Sequence, residues 1–173
     1  MKISIIKVGY LEANCYILEQ NKKLIVIDPG DEYDKIAPYI KNKEIVKVLI
    51  THYHPDHVGA LSNFEDKLIL KNPKETTYNI GPFSFMVIYT KGHTSDSITY
   101  YFKKEKIMFT GDFLFKGTVG RTDLPSGNQK EMFESLKKIK SYPGDIKIYP
   151  GHGQSTTLKY EKENNYFLKD PFF

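Results

Sequence analysis

The sequence predicts an α/β fold of four layers, with two β-sheets packed face to face and helices on the outside. Three observations lead there. Short apolar runs rich in Ile, Val, Tyr and Phe recur along the chain and read as strands. Segments with helical spacing of apolar residues lie between and after them. Several runs end in a polar residue beside glycine, which is how a strand stops at the edge of a sheet and turns. Strands that first meander and then alternate with helices are accommodated by two sheets in an α/β sandwich.

The strand-like runs fall at residues 3–8, 15–19, 24–28, 45–51, 68–70, 83–89, 97–102, 106–110 and 145–149. In the first, Ile3, Ile5, Ile6 and Val8 are interspersed with Ser4 and Lys7, a strand pattern and not a signal peptide. Helices are expected at about 32–42, 57–66, 129–140 and 157–168, with Pro38 opposing the first beyond its opening turns. The third is the best marked. Met132, Phe133, Leu136 and Ile139 share one face, while Lys130, Glu134, Lys137 and Lys138 do not, and Asn128 followed by Glu131 reads as the N-cap.

With 173 residues, 40% hydrophobic and 27% charged, and no repeat or linker-like stretch, a single domain over 1–173 is expected. The net charge of +4 comes from lysines spread along the chain. A nucleic-acid or membrane partner would need them clustered, so neither is expected. Cys15 has no second cysteine to pair with and reads as a small core residue in a strand. No apolar run approaches the roughly 18 residues of a membrane span, and a soluble cytoplasmic protein is expected.

The chemistry is concentrated in Thr51-His52-Tyr53-His54-Pro55-Asp56-His57, at the end of the run 45–51. Residues two apart in extended chain point the same way, so His52 and His54 can address one metal ion. Asp56 and His57, beyond the turn at Pro55, can reach a second. Three more candidates stand beside glycine after strand-like runs: His93 after Gly92, Asp112 after Gly111, and His152 between Gly151 and Gly153. All five histidines of the chain are thereby used at strand ends. Imidazole and carboxylate without thiolate suit zinc, iron, manganese or cobalt, with zinc the first choice. Asp28, in Ile27-Asp28-Pro29-Gly30, reads as a brace for its turn or a hydrogen-bond partner of a ligand histidine.

These residues resemble the metallo-β-lactamase superfamily, and the rest of the chain is similar to its glyoxalase II (hydroxyacylglutathione hydrolase) branch. The likeness runs through Asn14-Cys15-Tyr16, Ile27-Asp28-Pro29-Gly30, the HxHxDH motif at 52–57, Gly92-His93-Thr94, Thr110-Gly111-Asp112, Gly120-Arg121-Thr122-Asp123 and Gly151-His152-Gly153. It implies an αββα sandwich carrying two divalent metal ions per chain. His52, His54 and His93 would hold one, Asp56, His57 and His152 the other, and Asp112 would bridge both. The chain ends about twenty residues after His152, where full-length glyoxalase II enzymes carry a helical domain that holds glutathione. The Gly-Arg-Thr-Asp loop is typical of the short, single-domain proteins of this branch. Arg121 either takes a substrate carboxylate or pairs with Asp123.

The expected activity is metal-assisted hydrolysis of a small thioester, S-lactoylglutathione or a related hydroxyacyl thioester, with solvent as the nucleophile. A thiolate leaves without a proton, and Asp56 is the one candidate for proton transfer in the motif. The alternative on the same fold is a persulfide dioxygenase, with a single iron on His52, His93 and Asp112. The oligomeric state is not legible in the sequence.

Overall fold

The computed structural model describes residues 1–169. The first sheet is built from β1 (Lys2–Val8), β2 (Ala13–Gln20), β3 (Lys23–Ile27) and β4 (Glu44–Leu49), with α1 (Tyr33–Ile40) crossing between the last two. Its strands lie in sequence order, antiparallel except for the parallel pair β3–β4. After the short α2 (Pro55–Val58) come β5 (Thr77–Ile80), β6 (Phe83–Tyr89), β7 (Ile98–Phe102) and β8 (Ile107–Gly111). A small hairpin, β9 (Leu114–Phe115) and β10 (Thr118–Val119), leads to α3 (Gln129–Lys140). Then follow β11 (Lys147–Pro150), β12 (Thr156–Thr157), α4 (Leu158–Asn164) and α5 (Tyr166–Lys169). The second sheet has the order β12-β11-β8-β7-β6-β5, with β11 and β8 parallel.

Apolar burial explains the layering. Tyr16, Leu18, Ile25, Ile27 and Leu49 of the first sheet pack against Phe85, Val87, Tyr100, Phe102 and Phe109 of the second. The other face of the first sheet, with Val8, Cys15, Ile17, Val26 and Val48, is covered by Ile36 and Ile40 of α1. On the far side, Met132, Leu136 and Ile139 of α3, with Leu158 and Leu168, cover Ile88, Met108 and Ile148. The expected four-layered αββα sandwich is thus the observed one. Cys15 is fully buried, and burial pushes its thiol pKa far up, as suits a core residue.

The longer strands sit within about two residues of their expected bounds. Four expectations need correction. Residues 57–66 are not one helix: α2 starts at Pro55 and makes a single turn, because Ala60 N donates to Pro29 O and Gly30 packs hard against the Asp56 carbonyl. Residues 157–168 form two helices broken at Asn165, whose amide is drawn to Thr118 O and Glu161. Residues 68–70 are a 3₁₀ turn (Asp66–Leu68) followed by one bridge from Ile69 to Val48. The antiparallel meander belongs as much to the second sheet, through β5 to β8, as to the first. The helix expected at 32–42 runs over Tyr33–Ile40 with Pro38 inside it. β5, β9, β10 and β12 were not legible, being two to four residues long.

Candidate metal centre

The parallel relations β3–β4 and β8–β11 send their C-terminal ends to one edge of the sandwich, and the loops there carry the polar residues. β4 delivers Thr51 to His57, β8 delivers Asp112, β11 delivers His152, and the β6–β7 loop delivers His93. The two sheets are tied at this edge, since Ile98 N donates to Thr51 O at 2.9 Å and Tyr53 N donates to Asp96 at 3.1 Å.

Every predicted ligand arrives in one cluster. His52, His54 and His93 have ring nitrogens within 4.8 Å of one another, as do the donor atoms of Asp56, His57 and His152. Between the two groups lies Asp112, with Oδ2 at 3.7 Å from His93 Nε2 and 3.5 Å from His152 Nε2, and Oδ1 at 3.3 Å from His57 Nε2.

Hydrogen bonds fix which nitrogen of each ring faces inward. A carbonyl or carboxylate can only accept, so His93 donates Nδ1–H to Arg121 O (2.8 Å), His152 to Leu11 O (3.0 Å) and His57 to Asp28 Oδ2 (3.0 Å). Thr51 gives its hydroxyl proton to Asp28 Oδ2 at 2.6 Å, so its oxygen accepts from His52 Nδ1 at 3.1 Å. Asp28 thus braces its turn, by accepting from Thr51 N, and directs two histidines as well. Its backbone is left-handed (φ 50°), a conformation Asp tolerates better than most residues.

Nε2 of His52, His57, His93 and His152 is thereby left to face the centre. His54 Nδ1 stands 3.0 Å from His93 Nε2, and His57 Nε2 stands 3.3 Å from His152 Nε2. Ring nitrogens that close need a proton or a metal cation between them, since two bare lone pairs would repel. His52 Nε2 and Asp112 Oδ1 are buried with no hydrogen bond, which costs free energy unless a cation satisfies them. Gly151 confirms that space is reserved: a methyl there would overlap Asp112 Oδ1 and approach His57 Cε1 at 2.8 Å. The donor set therefore fits metal ions.

Electrostatics agree. Burial, then the neighbouring His57, pull the His52 pKa down to about 2, so its ring is neutral. At His57 burial also opposes charge, but the carboxylates of Asp112 and Asp28 beside it prevail and push its pKa up to about 10. Burial would raise Asp112, yet His57 holds it down to about 2. A place that favours an extra proton between carboxylates favours a metal cation in the same way.

Arg121 forks onto Asp123 through two bonds of 2.7 Å, both side chains being exposed, and the guanidinium holds the Asp123 carboxyl down to about 2. The pairing alternative is the one seen, although an exposed pair exchanges readily with another carboxylate. The roles of Thr51 and of the Leu11 and Arg121 carbonyls were missed. Thr51 could have been suspected as the residue before the motif; a carbonyl leaves no mark in the sequence.

A model of the metallo-beta-lactamase superfamily matches residues 8–76 and 69–152. The chain is 33% identical to the probable metallo-hydrolase YqgX of Bacillus subtilis, covering 97% of this chain and 98% of that protein. It is 32% identical to hydroxyacylglutathione hydrolase GloC of Haemophilus influenzae, covering 97% and 98%. Among solved structures, BLEG-1 B3 metallo-beta-lactamase superposes with a TM-score of 0.90 at 28% identity, covering 98% of this chain and 100% of that one. TTHA1623 in a di-iron-bound form gives 0.86 at 30%, covering 95% and 100%. ETHE1 from Myxococcus xanthus gives 0.85 at 26%, covering 97% and 84%. With its fold, its strand-end cluster and these likenesses in agreement, the chain belongs to the metallo-β-lactamase superfamily.

Proposed function

We propose that this protein is a hydrolase that binds two divalent metal ions and cleaves a small hydroxyacyl thioester, with S-lactoylglutathione the first candidate. Zinc is the first candidate metal, and iron or manganese the next. One observation supports the reading: the Asp112 carboxylate stands between two groups of three candidate ligand atoms, within 3.7 Å of a ring nitrogen of each. The ions would supply Lewis acidity and solvent made nucleophilic near neutral pH.

The chain's own contribution is orientation. Asp28, Leu11 and Arg121 keep the Nδ1 protons of His57, His152 and His93 pointing outward, so the inner nitrogens stay available. Asp56 Oδ2 lies 3.1 Å from His152 Nε2 and is the carboxylate at the open side of the cluster, suited to accept a proton from solvent. A thioester suits such a site because its leaving thiolate needs no general acid. The named hydroxyacylglutathione hydrolase from Haemophilus influenzae supports this substrate class.

The testing experiment is metal analysis of protein purified without added metal, paired with S-lactoylglutathione hydrolysis. About two ions per chain with turnover is the expected result. The second reading, a persulfide dioxygenase with one iron on His52, His93 and Asp112, draws on the likeness to ETHE1. One iron per chain, with oxygen uptake on glutathione persulfide and no thioester cleavage, would replace the first reading with the second.

A further inference from the structure

The β9–β10 hairpin stands between the metal centre and the C-terminal helices. On one side it leads straight into Gly120 and Arg121, whose carbonyl takes the Nδ1 proton of His93 at 2.8 Å. Contact there is tight: a methyl on Gly120 would overlap the Asp112 carbonyl and come within 3.0 Å of His93 Nδ1. On the other side Glu161 of α4 is wholly buried, and among the described residues no ion pair is formed with it. Its Oε2 accepts from Gly117 N in the hairpin turn and from Asn165 Nδ2, each at 2.8 Å, and its Oε1 accepts from Thr156 Oγ1 at 2.6 Å. Asn165 Nδ2 also donates to Thr118 O at 3.1 Å. A hairpin of two-residue strands is too small to hold its own position. What grips its turn decides where it sits.

We propose that Glu161, seconded by Asn165, is a positioning residue for the metal centre. By holding Gly117 and Thr118 it fixes the hairpin, and through it the Arg121 carbonyl that sets the tautomer and direction of His93. A buried carboxylate is costly to keep, and three donors converging on it offset that cost only while the hairpin, β12 and the C-cap of α4 are in place. The inference rests on reading His93 as a metal ligand, and goes beyond it by naming what holds that ligand from outside the cluster.

The test uses Glu161→Ala, Asn165→Ala and Glu161→Gln in the full chain, with imidazole N–H protons followed by ¹⁵N-histidine NMR, and zinc affinity by calorimetry. In Glu161→Ala, exchange of the His93 N–H with solvent should be about tenfold faster and zinc binding about tenfold weaker, the scale of lost outer-sphere support. The His57 N–H, held by Asp28 across the centre, should keep its wild-type rate. Glu161→Gln should restore most of both, since its amide oxygen can still accept from Gly117 and the Thr156 hydroxyl can turn to accept. The proposal is overturned if melting temperature falls while the His93 N–H is unmoved, or if His57 and His93 loosen equally, which is general destabilisation. Should Glu161→Ala not fold, Asn165→Ala carries the same comparison. The N–H readout is made in metal-free protein too, so an absence of zinc binding would sink the metal reading without deciding this one.

Discussion

Asp28 shows how much one buried side chain can organise. With two oxygens it receives Thr51 N, the Thr51 hydroxyl and His57 Nδ1, and through that hydroxyl it also directs His52. A partnership of Asp28 with a ligand histidine was legible from its place after a strand; the relay through Thr51 was not, because only the fold brings residues 28 and 51 together. Asp112 differs in kind, as it touches both ligand groups. Asp112→Ala should therefore lower kcat/KM for the thioester by more than about a hundredfold, against tenfold or less for the solvent-facing Arg121→Ala. Comparable losses in steady-state assays would contradict a shared carboxylate. Gly151→Ala should act like Asp112→Ala, because the added methyl displaces the same oxygen; metal content should drop while circular dichroism stays native. The raised pKa of His57 sets a pH dependence. Its folded value, near 10, lies above the unfolded one, so the metal-free protein carries that proton at neutral pH and the stability it brings is lost as pH rises through about 10. A metal ion must displace it. Zinc binding at pH 7.5 should release about one proton from this residue, and apparent affinity should rise with pH. Calorimetry in buffers of different ionisation enthalpy measures the release, and a buffer-independent heat would contradict it.

Among the elements, legibility followed length and periodicity. α3 could be read in full because its apolar face, its Asn128 cap on Glu131 N (3.1 Å) and its lysine-rich last turn all agree. α2 could not, since its propagation is stopped by contacts with Pro29 and Gly30, more than twenty residues earlier. That single turn has a use. It lets the chain bend after His54, so that Asp56 and His57 meet His152 in the second group. The division between α4 and α5 has the same long-range origin, in Asn165 reaching back to Thr118. α3 itself holds the outer side of the second sheet, and Leu136, about 1% exposed, is at the middle of that contact. Leu136→Ala should cost about 2–5 kcal/mol. For a chain of this size that lowers the melting temperature by roughly 5–15 °C, measured by calorimetry on the metal-loaded protein. Zinc stoichiometry should be unchanged, because α3 stands behind the sheet and supplies none of the ligands.

Considered whole, the molecule places its candidate ligands on both halves of the sandwich. His52, His54, Asp56 and His57 follow the first sheet, whereas His93, Asp112 and His152 follow strands of the second. An ion held by both groups is a clasp across the open edge of the core between the sheets. In the unfolded chain these residues are spread from 52 to 152 and present no assembled site, so metal binds the folded state and its binding free energy adds to stability. At a free zinc concentration a hundred times the dissociation constant, the gain is about 2.7 kcal/mol per site. With about 2–4 °C per kcal/mol at this chain length, the melting temperature should rise by about 5–10 °C for each site filled and fall back with a chelator. The clasp makes a sharper demand. His57→Ala removes a ligand from the first half and His152→Ala one from the second, both in the same group. Each should abolish that group's share of the stabilisation to the same extent, although His152 is partly exposed and contributes little to the core. If His152→Ala keeps the full zinc-induced rise, that ion is held without His152, and the clasp between the two halves fails at this residue.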